Sequence, residues 1–194
     1  METKQLYMLV EIPKGSNNKY EYDWRNKQLF VDRTIFFSFP INYGFLCNQK
    51  SDPLSLSEDG DDMDVICLGD PVVPICLIPI KIIGALQMTD NGEKDNKLLA
   101  VNINDSRWGH LDDIQECWDF IEPTLAEISF FFDNYKDWKK DSPKKIILEG
   151  WVGNKEANKI LEESLLRYQK YEKQIEKGID KKTLISLIKQ EEQK

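Results

Sequence analysis

The chain has 194 residues, with 26 Lys and Arg against 34 Asp and Glu, one His, a formal net charge of −8, and 41% hydrophobic and 11% aromatic content. That is enough apolar material for one packed domain and excludes a disordered chain. No run of ~18 apolar residues and no basic-then-apolar leader is present, so neither a membrane span nor a secretory signal is expected and the protein reads as cytoplasmic. Residues 51–70 hold seven acidic side chains and no basic one, which would repel a nucleic-acid backbone and argues against a nucleic-acid partner.

In chain order, residues 6–12 read as a strand, and 20–24 with 28–32 as a hairpin around Arg25, Asn26 and Lys27. Asn42-Tyr43-Gly44 carries turn chemistry. Further β-type runs follow at 63–68, 76–86, 97–103 and 145–152, separated by segments rich in Gly, Pro, Asp and Asn. Pro123 is expected to open a helix in which Leu125, Ile128, Phe132 and Tyr135 share a face. Leu161, Leu165 and Tyr168 repeat that spacing in a second helix, broken at Gly178 before a tail helix from Lys181. This order predicts an α+β fold: a small, mostly antiparallel β-barrel with two main α-helices packed outside it. We expect a single domain over residues 1–177 and a tail helix in 178–194.

From residue 155 onward ten basic residues face eight acidic ones, whereas residues 1–153 hold sixteen basic and twenty-six acidic. The acidity is concentrated in the body. Leu184, Ile185, Leu187 and Ile188 form an apolar strip on the tail, too small to fold alone and suited to packing on a neighbouring subunit.

The densest chemical signal is the run from Glu58 to Asp64, in which Asp59, Asp61, Asp62 and Asp64 stand around Gly60. Two carboxylates at ~4 Å repel by roughly 4 kcal/mol at an effective dielectric near 20, so convergence of several implies a multivalent cation or protonation. Cys47, Cys67, Cys76 and Cys117 show no CxxC pairing, and with His110 alone they cannot form the usual zinc set. Oxygen ligands without imidazole or thiolate select a hard ion such as Mg²⁺, Mn²⁺ or Ca²⁺. An EF-hand loop is excluded, because counting from Asp59 puts Met63 at the fifth position and Asp64 where Gly is required. In a straight strand Asp59 and Asp61 would face away from Asp64, so convergence needs a turn, which Gly60 permits. A second acidic loop carries Asp90, Glu93 and Asp95, with Lys97 two residues beyond. Lys19 and Glu21 share a strand face, and Glu11 alternates with Val10 and Ile12, which allows it to point into the barrel. Arg33, Tyr43, Tyr135 and Lys136 complete a set of groups suited to phosphoryl oxygens.

At these residues the chain resembles the soluble, magnesium-dependent inorganic pyrophosphatases of the compact β-barrel type. The resemblance covers roughly residues 6–165. It runs through Glu11-Ile12-Pro13, Lys19-Tyr20-Glu21, the stretches 29–33 and 40–44, the Asp-x-Asp-x-x-Asp block ending at Asp64, Met88-Thr89-Asp90, the stretches 97–101 and 131–137, and Glu149-Gly150-Trp151. It implies an OB-like pyrophosphatase barrel that hydrolyses inorganic pyrophosphate with several Mg²⁺ ions per site, Mn²⁺ or Zn²⁺ being possible substitutes. It implies that Asp59, Asp61, Asp64, Asp90 and Asp95 bind metal with Glu11 and Glu21 at outer positions. Lys19, Arg33, Tyr43, Lys97, Tyr135 and Lys136 would hold the two phosphoryl groups. Asp61 would also be the base for the attacking water, and the assembly a homo-oligomer, with a hexamer favoured.

Two departures from the family pattern stand out: Phe39 where many relatives carry tyrosine, and Asn91 where glutamate is common, with Glu93 placed to compensate. Asp62 also replaces a residue that is often proline. Rival readings are a metal-binding module without the Lys, Arg and Tyr set, an oligonucleotide-binding barrel, and a nucleotide phosphohydrolase. The acidic body opposes the second, and the absence of a P-loop or other nucleotide motif opposes the third.

Overall fold

The structure, a computed structural model, describes residues 5–136 and 146–192, with the side chains of Cys117, Glu191 and Glu192 outside that description. The expected strand start at Lys145 and the motif residue Asp137 lie outside the described residues. The strands are β1 (Leu6–Ile12), β2 (Asn18–Asp23), β3 (Gln28–Thr34), β4 (Asn42–Cys47), β5 (Asp64–Leu68), β6 (Leu77–Asp90), β7 (Glu93–Lys94), β8 (Lys97–Asn102) and β9 (Ile146–Gly153). β1 pairs with β4, β4 with β5, β5 with β8, β8 with β6 and β6 again with β1, which closes a five-stranded barrel. β9 adds to β6 outside the ring, and β2 with β3 forms a separate hairpin. All these pairings are antiparallel except β5 with β8.

Alternation along the strands divides the core. Met8 and Val10, Leu46, Val65 and Cys67, Leu98 and Ala100, and Ile78 and Ile80 come from all five barrel strands and pack as one cluster. Ala157 and Leu161 of helix α2 (Asn154–Glu176) complete it. The intervening residues Ile66, Leu68, Leu99 and Val101 form a second cluster with helix α1 (Trp118–Asn134) through Ile121, Leu125, Ile128 and Phe132. Each such fully buried side chain contributes roughly 1.5–3 kcal/mol relative to exposure. The anticipated helix face is therefore the one that packs.

Local signals were overridden in three places. α1 begins at Trp118, not Pro123, because a 3-10 turn over Ile114–Cys117, capped by the Asp113 carboxylate accepting from Gln115 N–H at 2.9 Å, starts the helix upstream. Pro123 falls inside the helix with its ring exposed, so the carbonyl it leaves unpaired can be hydrated. Asn42-Tyr43-Gly44 opens β4 and makes no turn. The Asn42 side chain ties separate loops together, accepting from Lys14 N–H and Val72 N–H at 3.1 Å each and donating to the Asp70 carbonyl at 2.8 Å. Gly44 is needed for close approach, since a Cβ there would lie 1.8 Å from the Leu9 carbonyl oxygen. Glu11 points outward, on the Leu9 side under the β2–β3 hairpin, while Val10 takes the interior.

α2 ends before helix α3 (Lys181–Glu192). The apolar strip of α3 is occupied within the chain. Leu184 and Ile188 are buried against Tyr168, Tyr171 and Ile175 of α2 and against Leu56, so an intramolecular surface fills the role anticipated for a neighbouring subunit.

Candidate active site

β5 and β8 run parallel with Val65 opposite Leu98, so their first residues, Asp64 and Lys97, emerge together at one end of the barrel. Lys97 is 2% exposed and its ammonium donates to both Asp64 and Asp95. Burial disfavours that charge, but the two carboxylates outweigh it and hold the ammonium pKa above the ordinary lysine value. Tyr43, delivered by β4, has its phenol pushed well up by burial and by Asp64 and Asp95.

The loop before β5 folds as the turn that Gly60 allows, with φ +81. Ser57 N–H donates to the Asp61 carbonyl at 2.8 Å and Asp61 N–H to the Asp59 carboxylate at 3.2 Å. Burial, then Asp61 and Asp95, push the Asp59 carboxyl up to about 7. Asp62 is pushed up to about 8 by burial, Asp61 and Asp64. The second acidic loop turns at Asn91 and Gly92, with φ 54 and 84, the conformation a tight hairpin demands, and sets Asp90 opposite Glu93. Asp95 is raised by burial against the pull of Lys97, and Asp90 receives the Lys136 ammonium.

The remaining walls come from the hairpin and α1. Glu11 accepts from Tyr22 N–H at 2.8 Å, and burial raises its carboxyl well above the usual range despite that bond. Lys19 pairs with Glu21 and lies 3.4 Å from Asp32, which also holds Arg33 at 2.5 Å. Tyr135 stacks on Phe131 at the end of α1, with ring centroids 5.2 Å apart, and Lys136 follows it.

All thirteen anticipated residues line one cavity of about 370 Å³. Tyr20, Tyr22, Phe45, Asp62, Asn91, Glu93 and Lys181 line it as well. Of these, Asp62 and Glu93 belong to acidic runs visible in the sequence, and Tyr20 and Tyr22 flank Glu21. Lys181 carried no local signal, because it lies 120 residues from its partner Asp61, at 2.5 Å in space. The departures also have structural settings. Phe39 is 2% exposed, with ring centroids 4.7 Å from Phe131 and 5.6 Å from Tyr43, so it serves as packing beside the site. Asn91 donates to Asp90 at 2.9 Å, and Glu93 does face the cavity but is paired with Lys189 at 2.5 Å.

The donor chemistry fits hard divalent cations: carboxylate oxygens converge on one cavity, and burial, followed by neighbouring carboxylates, raises the pKa of Glu11, Asp59 and Asp62. Among the described residues no three carboxylates already form a coordination shell. Lysine ammoniums sit on them instead, Lys97 on Asp64 and Asp95, Lys136 on Asp90 and Lys181 on Asp61.

Fold and cavity define a class: a small five-stranded barrel with one cavity lined by carboxylates together with lysine, arginine and tyrosine. The inorganic pyrophosphatase family profile matches residues 8–169. A soluble inorganic pyrophosphatase 2 from Chlamydomonas reinhardtii is 41% identical over 167 residues, 84% of this chain and 80% of that protein. An inorganic pyrophosphatase from Malacoplasma penetrans is 36% identical over 190 residues, 96% of each chain, a match that extends into the tail. The crystal structure of inorganic pyrophosphatase from Thermus thermophilus superimposes with a TM-score of 0.75 at 31% identity, covering 87% of this chain and 94% of that one. The chain belongs to the inorganic pyrophosphatase family, whose reaction is hydrolysis of pyrophosphate to phosphate with a divalent metal cofactor.

Proposed function

We infer that the chain hydrolyses inorganic pyrophosphate to two phosphates in this cavity, with Mg²⁺ as its resident cation, Mn²⁺ or Zn²⁺ as substitutes, and Asp61 as general base. The observation that supports this most is the gathering of all thirteen residues around one small cavity, with acids from β1, the hairpin and the two acidic loops and their adjoining strands, and cations from the hairpin, β8 and the segment after α1. Asp59, Asp61, Asp64, Asp90 and Asp95 would hold the cations, with Glu11 and Glu21 at the periphery. When bound, such cations neutralise phosphoryl charge and acidify coordinated water, which explains how an acidic protein takes a highly anionic substrate.

The chain's own groups divide the remaining work. Lys19, Arg33, Tyr43, Lys97, Tyr135 and Lys136 donate to phosphoryl oxygens, and the fixed donors stabilise charge on the departing phosphate. Lys97 keeps its proton because Asp64 and Asp95 hold it, so it acts as a donor of hydrogen bonds and charge. Asp61, with 60% of its side chain exposed, accepts the proton of an attacking water on the oxygen that Lys181 does not hold, and no covalent intermediate is required.

Phosphate release from pyrophosphate tests this directly. Activity should need Mg²⁺ and vanish with chelator, and Asp61→Asn should lower the rate about 10²–10⁴-fold. An Asp61→Asn variant as fast as the unaltered protein would exclude Asp61 as the base. ATP in place of pyrophosphate should release little phosphate.

We further propose a catalytic domain over 1–177 with 178–194 appended, in a cytoplasmic homo-oligomer, with a hexamer favoured. Among the described residues no helix is long and apolar enough to cross a membrane. Phe36, Phe120 and Ile147 stand 79%, 83% and 62% exposed, as subunit contacts would be in a single chain. Sedimentation at a multiple of 22.7 kDa is the expected result.

A further inference from the structure

The C-terminal helix folds back over the acidic loop on a defined corner. Gly178, with φ +78, donates to the Ile175 carbonyl at 2.9 Å, and Ile179 N–H donates to the Gln174 carbonyl at 3.0 Å. This bond pair closes the end of α2 and turns the chain. Asp180 then caps α3, accepting from Thr183 N–H at 3.0 Å and from its hydroxyl at 2.6 Å. With Leu184 and Ile188 seated on α2, Ile185 lies directly over Gly60, where an added Cβ would come within 3.0 Å of Ile185 Cγ1. α3 is thus docked on the loop that carries Asp59 and Asp61. Its first residue, Lys181, lines the cavity and sets its ammonium 2.5 Å from the Asp61 carboxylate. Near its other end Lys189 reaches Glu93 on the second acidic loop. α3 itself lies beyond residue 169, where the family profile ends.

We propose that Lys181 is a further active-site residue: its ammonium occupies Asp61 in the cation-free enzyme, a divalent cation must displace it to use that carboxylate, and α3 thereby sets how much free cation the enzyme needs. The inference rests on Asp61 being a cation ligand. A carboxylate oxygen that receives a lysine ammonium cannot also receive a dication without strong repulsion between the two positive charges. Docking of α3 holds the ammonium at Asp61 without fixing it there, because Lys181 and Asp61 are 51% and 60% exposed and such a pair shifts an equilibrium by only about two- to fivefold. The contact therefore tunes cation loading and does not block it.

The test is a titration of the full-length, chelator-treated protein with Mn²⁺, without substrate, following free Mn²⁺ by electron paramagnetic resonance. Lys181→Gln should bind Mn²⁺ about two- to fivefold more tightly, and Lys181→Arg should keep the unaltered value. Lys189→Gln, whose partner is not an assigned ligand, should change affinity less than Lys181→Gln does. Unchanged or weaker binding by Lys181→Gln overturns the proposal, as does equal tightening by Lys189→Gln, which would indicate a diffuse field effect. Asp61→Asn separates the two readings. If it does not weaken Mn²⁺ binding, the ligand assignment fails; if it does and Lys181→Gln behaves as unaltered protein, only the competition fails.

Discussion

At the floor of the cavity Lys97 is 2% exposed between Asp64 and Asp95, whereas at the lip more than half of each side chain in the Lys181–Asp61 pair faces water. The same two chemical groups meet in both places, yet the physics differs. On the floor the Lys97 ammonium is shut off from water and depends on one oxygen each of Asp64 and Asp95, whose other oxygens face the cavity. At the lip water and salt screen the pair, and either member is available to a third charge. In the function we propose, the first suits a rigid base that positions phosphoryl oxygens and the second an exchangeable edge for cations and protons.

The contrast is sharpest in stability. Lys97→Ala strands Asp64 and Asp95, and should cost about 3–5 kcal/mol, lowering Tm by on the order of 10 °C in a chain this size and removing activity. A Tm within a degree of the unaltered protein would break the distinction between floor and lip. Next, Arg33→Ala removes a donor that Asp32 holds at the half-exposed hairpin. KM for pyrophosphate should rise about tenfold while Tm stays nearly constant, because only a substrate contact is lost.

A pH titration probes the carboxyls between floor and lip. Asp59 and Asp62 titrate at about 7 and about 8 in the folded protein, against ~3.9 for an unfolded aspartate. The folded state therefore binds more protons than the unfolded one from ~3.9 up to about 7 and 8, so stability falls as pH rises across that window and levels off above it. Thermal melts of the chelator-treated protein should show Tm dropping from about pH 5 to about pH 8 and levelling above it, and Mg²⁺ should restore progressively more over that range. A flat profile would mean that the carboxyls are not held buried beside one another. Smallest of all, Lys189→Ala at the outer rim should move Tm by about one degree or less, in keeping with a screened surface pair.

Much of this was legible in the sequence where one local rule acted alone. The face of α1 and the break at Gly178 follow from periodicity and backbone preference, and each is seen in the structure. The need for a turn at Gly60 follows from strand alternation, and that turn forms. The failures came where distant contacts override local preference. Asn42 bonds to Lys14, Asp70 and Val72 and joins a strand, although its neighbours suggested a turn. Asp113 starts α1 ahead of Pro123. Glu11 emerges on the hairpin side because the β2–β3 hairpin, brought over β1 by tertiary packing, offers it the Tyr22 N–H. Lys181 was invisible for the same reason, since only the fold-back of α3 brings it to Asp61.

Mn²⁺ located by anomalous scattering in crystals grown with the ion and phosphate measures the central claim most directly. The peaks should lie in contact with the carboxylate oxygens of Asp59, Asp61, Asp64, Asp90 and Asp95, with phosphate against Lys97, Lys136 and Arg33. Peaks confined to other surfaces, with those five aspartates bare, would contradict it.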